Sequence, residues 1–284
     1  MLSLREDDVF LQMTVISATL LRKTTPKCKI VILIDEHTEL NKYPLEYQLL
    51  LDLQVEVVTI PTGYSNCVLS SRFIKLSLPC IINEKFWYLD ADTLPIVSVV
   101  DPEVIWDIAM VRDLNMNRSH YLLGEGRSNN CDVMGWPKPK YPYYNSGVIF
   151  ANCNSRVKDL FDHAKDLWLS ALERGVNCGD QLPLNIAMQN YTKISSLLLD
   201  DSFNAQIRAS PSSAYTAKIL HIFSGSIEKH NDTVLHTLVS GLREQSTLRS
   251  DIIDTLLTSK NPWVKGSNRA RLFPIRRLLS KLTC

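Results

Sequence analysis

The sequence is short of several things. No apolar run is long enough to cross a membrane; the longest are short, such as Ile30 to Ile34. The first ten residues, MLSLREDDVF, contain no apolar signal-peptide core. Seven cysteines are scattered with no C-x-x-C and no metal-ligand spacing, which reads as reduced, mostly buried thiols in a cytoplasmic protein. No internal repeat and no long Pro/Gly/Ser linker divides the 284 residues, so one large α/β domain with an appendage is expected. Charge of one sign is also missing overall. Lys+Arg number 31 and Asp+Glu 30, a net of +1, which argues against nucleic-acid binding by bulk charge. With 45% hydrophobic and 21% charged residues, the chain is neither disordered, collagen-like nor a coiled coil.

The near-zero net charge conceals a division. Lys260, Lys265, Arg269, Arg271, Arg276, Arg277 and Lys281 are the charged residues from 260 to 284, and none there is acidic. The preceding 259 residues therefore hold 24 basic and 30 acidic side chains. The segment from Pro274 to Leu282 has the spacing of a short amphipathic helix. Ile275, Leu278, Leu279 and Leu282 share one face, extended by Leu272 and Phe273, and Arg276, Arg277 and Lys281 lie toward the other. Basic plus apolar is the pattern of an interfacial anchor on anionic lipid; a tail folded back on an acidic body is the alternative.

Along the body, apolar spacing predicts a helix from Phe10 to Leu21, a buried strand over Lys29 to Asp35, a helix from Pro44 to Leu53 and a strand from Val55 to Ile60. A helix from Leu69 to Leu78 follows, then strands over Phe86 to Leu89, Ile108 to Val111 and Gly147 to Ala151. Asn154 or Ser155 caps a long helix from Val157 to Glu173, and a short one covers Asp180 to Gln189. Late strands cover Ile194 to Leu199 and Lys218 to Phe223. This alternation predicts an α/β fold with a mainly parallel central sheet and helices on both faces. In such sheets ligands bind beyond the carboxyl ends of strands.

One strand end stands out: Phe86-Trp-Tyr-Leu-Asp90-Ala-Asp92-Thr93. In extended backbone, residues two apart point the same way, so both acids can face one site. Two such charges are unfavourable together unless a cation lies near, and hard divalent ions bridge carboxylates and phosphates. A solvated turn is the plain alternative. A phosphatase of the D-x-D-x-T type is disfavoured, because Leu94 stands where the threonine belongs.

The order around this pair is informative. Ser70-Ser-Arg72-Phe-Ile-Lys75-Leu precedes it. Tyr143-Tyr-Asn145-Ser-Gly147, Gly179-Asp180-Gln181-Leu-Pro-Leu-Asn185 and Ile219-Leu-His221-Ile-Phe-Ser-Gly225 follow. This succession, from about Asp7 to about Lys229, resembles glycosyltransferase family 8, the retaining GT-A-fold enzymes related to glycogenin and bacterial lipopolysaccharide glycosyltransferases. The resemblance implies a GT-A catalytic domain over 1–230, followed by a helical basic tail over 231–284. It implies Mn²⁺ or Mg²⁺ held by Asp90, Asp92 and His221. It implies a nucleotide-sugar donor, UDP-linked, contacted by Arg72, Asp90, Ala91, Asp92, Asn145, Ser146 and Gly147. Lys75, one turn on from Arg72, can face the same site, with a solvated helix face as the alternative. Asp180 would touch the sugar and Gln181 would stand near the anomeric carbon. A hexose would pass to a saccharide or lipid-linked acceptor, at the inner face of a membrane. The competing class is a non-catalytic nucleotide-sugar-binding protein.

Two departures from the family pattern matter. Only Met1 to Leu4 precede the polar stretch where a full first strand is usual, so that strand is short or clipped. Asp8 and Phe10 are the candidates for base contact there. The late motif runs His221, Gly225, Lys229, longer than the usual H-x-x-G-x-x-K, which weakens the pyrophosphate role of Lys229. Asn115 to Pro142, with Trp136, three prolines and Tyr141, has little periodicity and is expected to form an acceptor-side loop.

Overall fold

The computed structural model describes residues 9–103, 105–116, 125–222 and 231–282, and for 281–282 the backbone alone. The chain forms two compact units. One contains residues up to Pro61, then Asp90–Val100 and residues from Asp201 on; the other contains Thr62–Leu89 and Asp101–Asp200.

In the first unit, helix α1 (Phe10–Thr24) is buried along Leu11 to Leu20. Strand β1 (Val31–Asp35), helix α2 (Pro44–Asp52) and strand β2 (Glu56–Ile60) follow, and β1 pairs parallel with β2 from Val31↔Glu56 to Asp35↔Ile60. Pro44 opens α2, where its missing N–H costs nothing.

The second unit begins with α3 (Cys67–Leu76), whose first turn is capped by Asn66 Oδ1 accepting from Val68 and Leu69 N–H. After α4 (Leu78–Ile81) comes strand β3 (Phe86–Leu89); the next strand in the chain, β4 (Thr93–Pro95), belongs to the first unit. The second unit resumes with β5 (Ile108–Arg112), α5 (Glu125–Met134), β6 (Tyr144–Ala151), α6 (Ser155–Glu173), α7 (Gln181–Asn190) and β7 (Ser196–Leu199). Asn154 caps α6 by accepting from Val157 N–H, as its sequence position predicts. The sheet order is β3-β6-β5-β7. Strand β6 is buried at every position and runs antiparallel to both β3 and β5; β5 and β7 are parallel.

The first unit closes with β8 (Ala205–Gln206), β9 (Ile219–His221), α8 (Val234–Gln245), α9 (Ser250–Ser259) and α10 (Asn268–Leu282). Its second sheet is ordered β4-β9-β8, with β4–β9 antiparallel and β8–β9 parallel. Leu235, Leu238, Leu242, Ile253, Leu256, Trp263 and Phe273 join the core built by α1 and β1, so these last helices share that core.

The expectation of a mainly parallel sheet is corrected: among the described residues the pairing is mixed. A parallel neighbour needs a crossover, whereas β6 starts beside the end of β5, with Tyr144 opposite Arg112, and so runs in reverse. The stretch expected as an irregular loop contains α5, anchored by buried Cys131 and Met134. In α10 only Phe273 of the expected apolar face is buried; Leu272, Ile275, Leu278 and Leu279 point outward, and the side chains of Lys281 and Leu282 lie outside the described ones.

Candidate active site

Asp90 follows β3 and Asp92 precedes β4. Between them the chain is a tight turn, in which the Asp90 carbonyl accepts from Thr93 N–H (3.0 Å) and Thr93 Oγ1 (2.7 Å). The acids therefore converge through a turn rather than through extended backbone. The antiparallel register then sets Thr93 opposite His221, with Ile222 N–H donating to the Asp92 carbonyl at 3.1 Å. One ligand atom each from Asp90, Asp92 and His221 falls within 4.8 Å of the others.

The imidazole is 3% exposed, and its Nε2 stands 3.3 Å from Asp92 Oδ1, itself on a side chain 10% exposed. His221 Nδ1 is 2.8 Å from Asn204 Oδ1, on a fully buried asparagine. An amide oxygen only accepts, so with Asn204 in this orientation Nδ1 carries the proton. In the neutral ring Nε2 then turns a lone pair toward the Asp92 carboxylate, a repulsive pair that a cation placed among them, or a proton on the ring, would relieve. Two carboxylates and an imidazole fixed through its far nitrogen fit a divalent cation on donor type and spacing.

A second cluster lies wholly within the other unit. Gly179, at φ +68°, turns the chain into α7, and Asp180 stands at the cap position. Its carboxylate does not cap the helix. Oδ2 accepts instead from Ser146 Oγ (2.7 Å) and pairs with Lys75 Nζ (3.1 Å). Lys75 is 7% exposed, with its ammonium 4.9 Å from the centre of the Tyr88 ring. Burial alone would raise the Asp180 carboxyl pKa, but Lys75 and the Ser146 hydroxyl hold it below the usual range. The helix-face alternative for Lys75 thus gives way to a buried ion pair.

Gln181 Oε1 accepts from Ser146 N–H (3.2 Å), and its Nε2 donates to Asp113 Oδ2 (2.8 Å). Asn185, one turn on, accepts from Tyr144 N–H (2.6 Å) and donates to the Tyr144 carbonyl (2.9 Å). The start of α7 is thereby clipped side chain by side chain to the start of β6. Asn145 turns Oδ1 to Gly147 N–H at 2.9 Å, which makes it a local brace in the buried strand. Arg72, on the same helix as Lys75, donates to Asn177 Oδ1 at 2.7 Å and lies beside Gly179.

The remaining predicted residues are placed as follows. Phe10 opens α1, and Ala91 sits in the acid turn packed against the first unit's core. Asp8, Gly225 and Lys229 lie outside the described residues. Asp113 and Asn204 are absent from the sequence reading. The signal for Asp113 was present, since it too is an acid just past an apolar strand. Asn204 carries no such signal, being placed by the pairing of β8 with β9.

No protein-family profile matches the chain, and no curated protein matches it in sequence. Solved structures do match. The galactosyltransferase LgtC, solved in complex with donor and acceptor sugar analogues, superposes with a TM-score of 0.56 at 16% identity, covering 95% of this chain and 98% of LgtC. The apo form of the glycosyltransferase GlyE of Streptococcus pneumoniae TIGR4 gives 0.51 at 18% identity, covering 93% of this chain and 64% of GlyE. At these identities the likeness is one of fold: the chain shares the fold of these two enzymes, the GT-A fold that the sequence resemblance implies.

Proposed function

We propose that this chain is a retaining glycosyltransferase that moves a hexose from a nucleoside-diphosphate sugar, UDP-linked, to a saccharide or glycolipid acceptor. The observation that carries the reading is the convergence of Asp90, Asp92 and His221 in a chain whose fold is shared with LgtC and GlyE. Those three residues would hold Mn²⁺ or Mg²⁺, and the ion when bound would supply positive charge to the departing diphosphate. Arg72 adds a guanidinium whose fork suits phosphate or sugar oxygens. Asp180, kept ionised by Lys75, accepts hydrogen bonds from sugar hydroxyls, and Asn145, Ser146 and Gly147 line the same strand start. Gln181 stands by the anomeric carbon, where a same-face displacement retains configuration.

In this reading residues 1–230 carry the catalysis, and the helices beyond them buttress the first unit and present its basic face. No described helix is long and apolar enough to cross a membrane. The exposed Leu272, Ile275, Leu278 and Leu279, flanked by exposed Arg271 and Arg276, support contact with an anionic bilayer, which would place the protein on the inner face of a membrane. Vesicle co-sedimentation with and without phosphatidylserine, using Leu278→Ser/Leu279→Ser, tests this contact.

The decisive test of the activity is a panel of nucleotide sugars with Mn²⁺, read as release of nucleoside diphosphate with and without acceptor sugars. Turnover of one donor is expected. Binding of a donor without turnover would make the chain a non-catalytic nucleotide-sugar-binding protein, and neither binding nor turnover would end the reading.

A further inference from the structure

Asp113 follows β5 and is held against the start of β6 by its N–H, which donates to the Tyr143 carbonyl at 2.7 Å. Its side chain is 1% exposed. Four N–H donors converge on the carboxylate. Asn115 N and Nδ2 both reach Oδ1 at 2.9 Å, while Arg127 Nη1 (3.2 Å) and Gln181 Nε2 (2.8 Å) share Oδ2. The carboxyl group receives four donors, so towards each of these neighbours it is the acceptor.

A glutamine amide can be turned over to exchange its oxygen and nitrogen. Here one end of the Gln181 amide meets that carboxylate and the other meets Ser146 N–H. Turned over, Oε1 would oppose a carboxylate oxygen and Nε2 would oppose an N–H. Both hydrogen bonds would become repulsions, so a single orientation survives. We propose that Asp113 is a positioning residue that fixes the Gln181 amide with Oε1 on the Ser146 side. Arg127, brought in by α5, steadies the carboxylate. The inference rests on the proposed function only for its catalytic consequence: the oxygen, which can meet an electron-poor anomeric carbon, is presented on the side of the strand start rather than toward Asp113.

Asp113→Asn tests this, because its amide offers a donor to Gln181 and permits the reversed orientation. Side-chain amide NMR of the full chain identifies the Gln181 proton pair by its loss in Gln181→Met. In the wild type the pair exchanges slowly with water. In Asp113→Asn it shifts and exchanges about tenfold or more faster. The Asn185 pair, bonded to the Tyr144 and Gln181 carbonyls, stays in place as the control. Donor turnover falls about tenfold in kcat with donor KM within about twofold, the signature of a contact used in the reacting state. Should Asp113→Asn unfold, Arg127→Met at its partly exposed position removes one donor from the carboxylate and moves the same pair by less. An unmoved Gln181 pair overturns the proposal, and so does a moved pair with unchanged kcat. A wild type that turns over no donor would end the functional reading, while the resonances would still decide whether Asp113 orients the amide.

Discussion

Removing one partner of the Lys75–Asp180 pair isolates the other in a poorly solvated place, and the cost can be worked from the geometry. At 3.1 Å and an effective dielectric near 20, the attraction is about 5 kcal/mol, against which the desolvation of both groups is set. Breaking a fully buried pair costs about 3–5 kcal/mol. Asp180 is 20% exposed and keeps the Ser146 hydroxyl, so Lys75→Met should cost less, about 2–3 kcal/mol, including the contact with Tyr88. Asp180→Asn strands the buried ammonium and should cost about the same. The double variant has no stranded charge and should unfold close to either single one, a coupling of about 2 kcal/mol. Urea unfolding of the four proteins by circular dichroism measures it. A coupling under about 0.5 kcal/mol would mean the pair behaves as a screened surface contact, and the argument for a charged Asp180 would fail.

Other outcomes follow from the same reasoning. Burial would raise the Asp107 carboxyl pKa, but hydrogen bonds from Arg156, Ser195 and Asn154 bring it down to about 2. A depressed carboxyl stabilises the fold fully above its unfolded pKa and loses that contribution as pH falls toward 2. With Arg156 half exposed, acid titration of stability should lose about 1–2 kcal/mol over that window, and Asp107→Asn should flatten it. An acid limb equally steep in the variant would refute the assignment. Phe273 is 1% exposed and packs its ring, tilted by 58°, 5.4 Å from the centre of the Tyr215 ring, so Phe273→Ala should cost about 3–5 kcal/mol or release α10. Release would show as rapid tryptic cleavage at Arg271, Arg276 and Arg277; unchanged stability together with unchanged digestion would contradict the docking. Burial pushes the Cys178 thiol up to about 11; the Cys80 thiol is raised as well, by burial and by Asp162, but it is exposed, so maleimide at neutral pH should label Cys80 well before Cys178.

Much of this was legible in the sequence where local chemistry is decisive. Asn154 announces a cap, Pro44 a helix start, and the Phe86–Leu89 run ending in acids a strand that delivers charge. The site was less legible where it depends on register. Strands β4 and β8 have three and two residues, too few to show any period, yet they align Asp92 with His221 and bring Asn204 behind the ring. The reversal of β6 follows from the route taken between β5 and β6, which alternation of strand and helix does not encode. Lys75 and Leu76 are neighbours on a helix whose buried face is chosen by what packs there, so the ammonium buried against Asp180 could not be told from a solvated one. In α10 Phe273 docks while Leu272, Ile275, Leu278 and Leu279 stay outside, a division that helical spacing alone does not encode.

The central claim is that Asp90, Asp92 and His221 hold a cation used in nucleotide-sugar turnover. The most direct measurement is donor turnover against Mn²⁺ concentration for the wild type and Asp92→Asn, with Asp92→Asn checked for a native unfolding curve. Saturable Mn²⁺ dependence in the wild type, abolished by a chelator and reduced at least about hundredfold in Asp92→Asn, is the predicted result. Turnover that survives both the chelator and Asp92→Asn would contradict it.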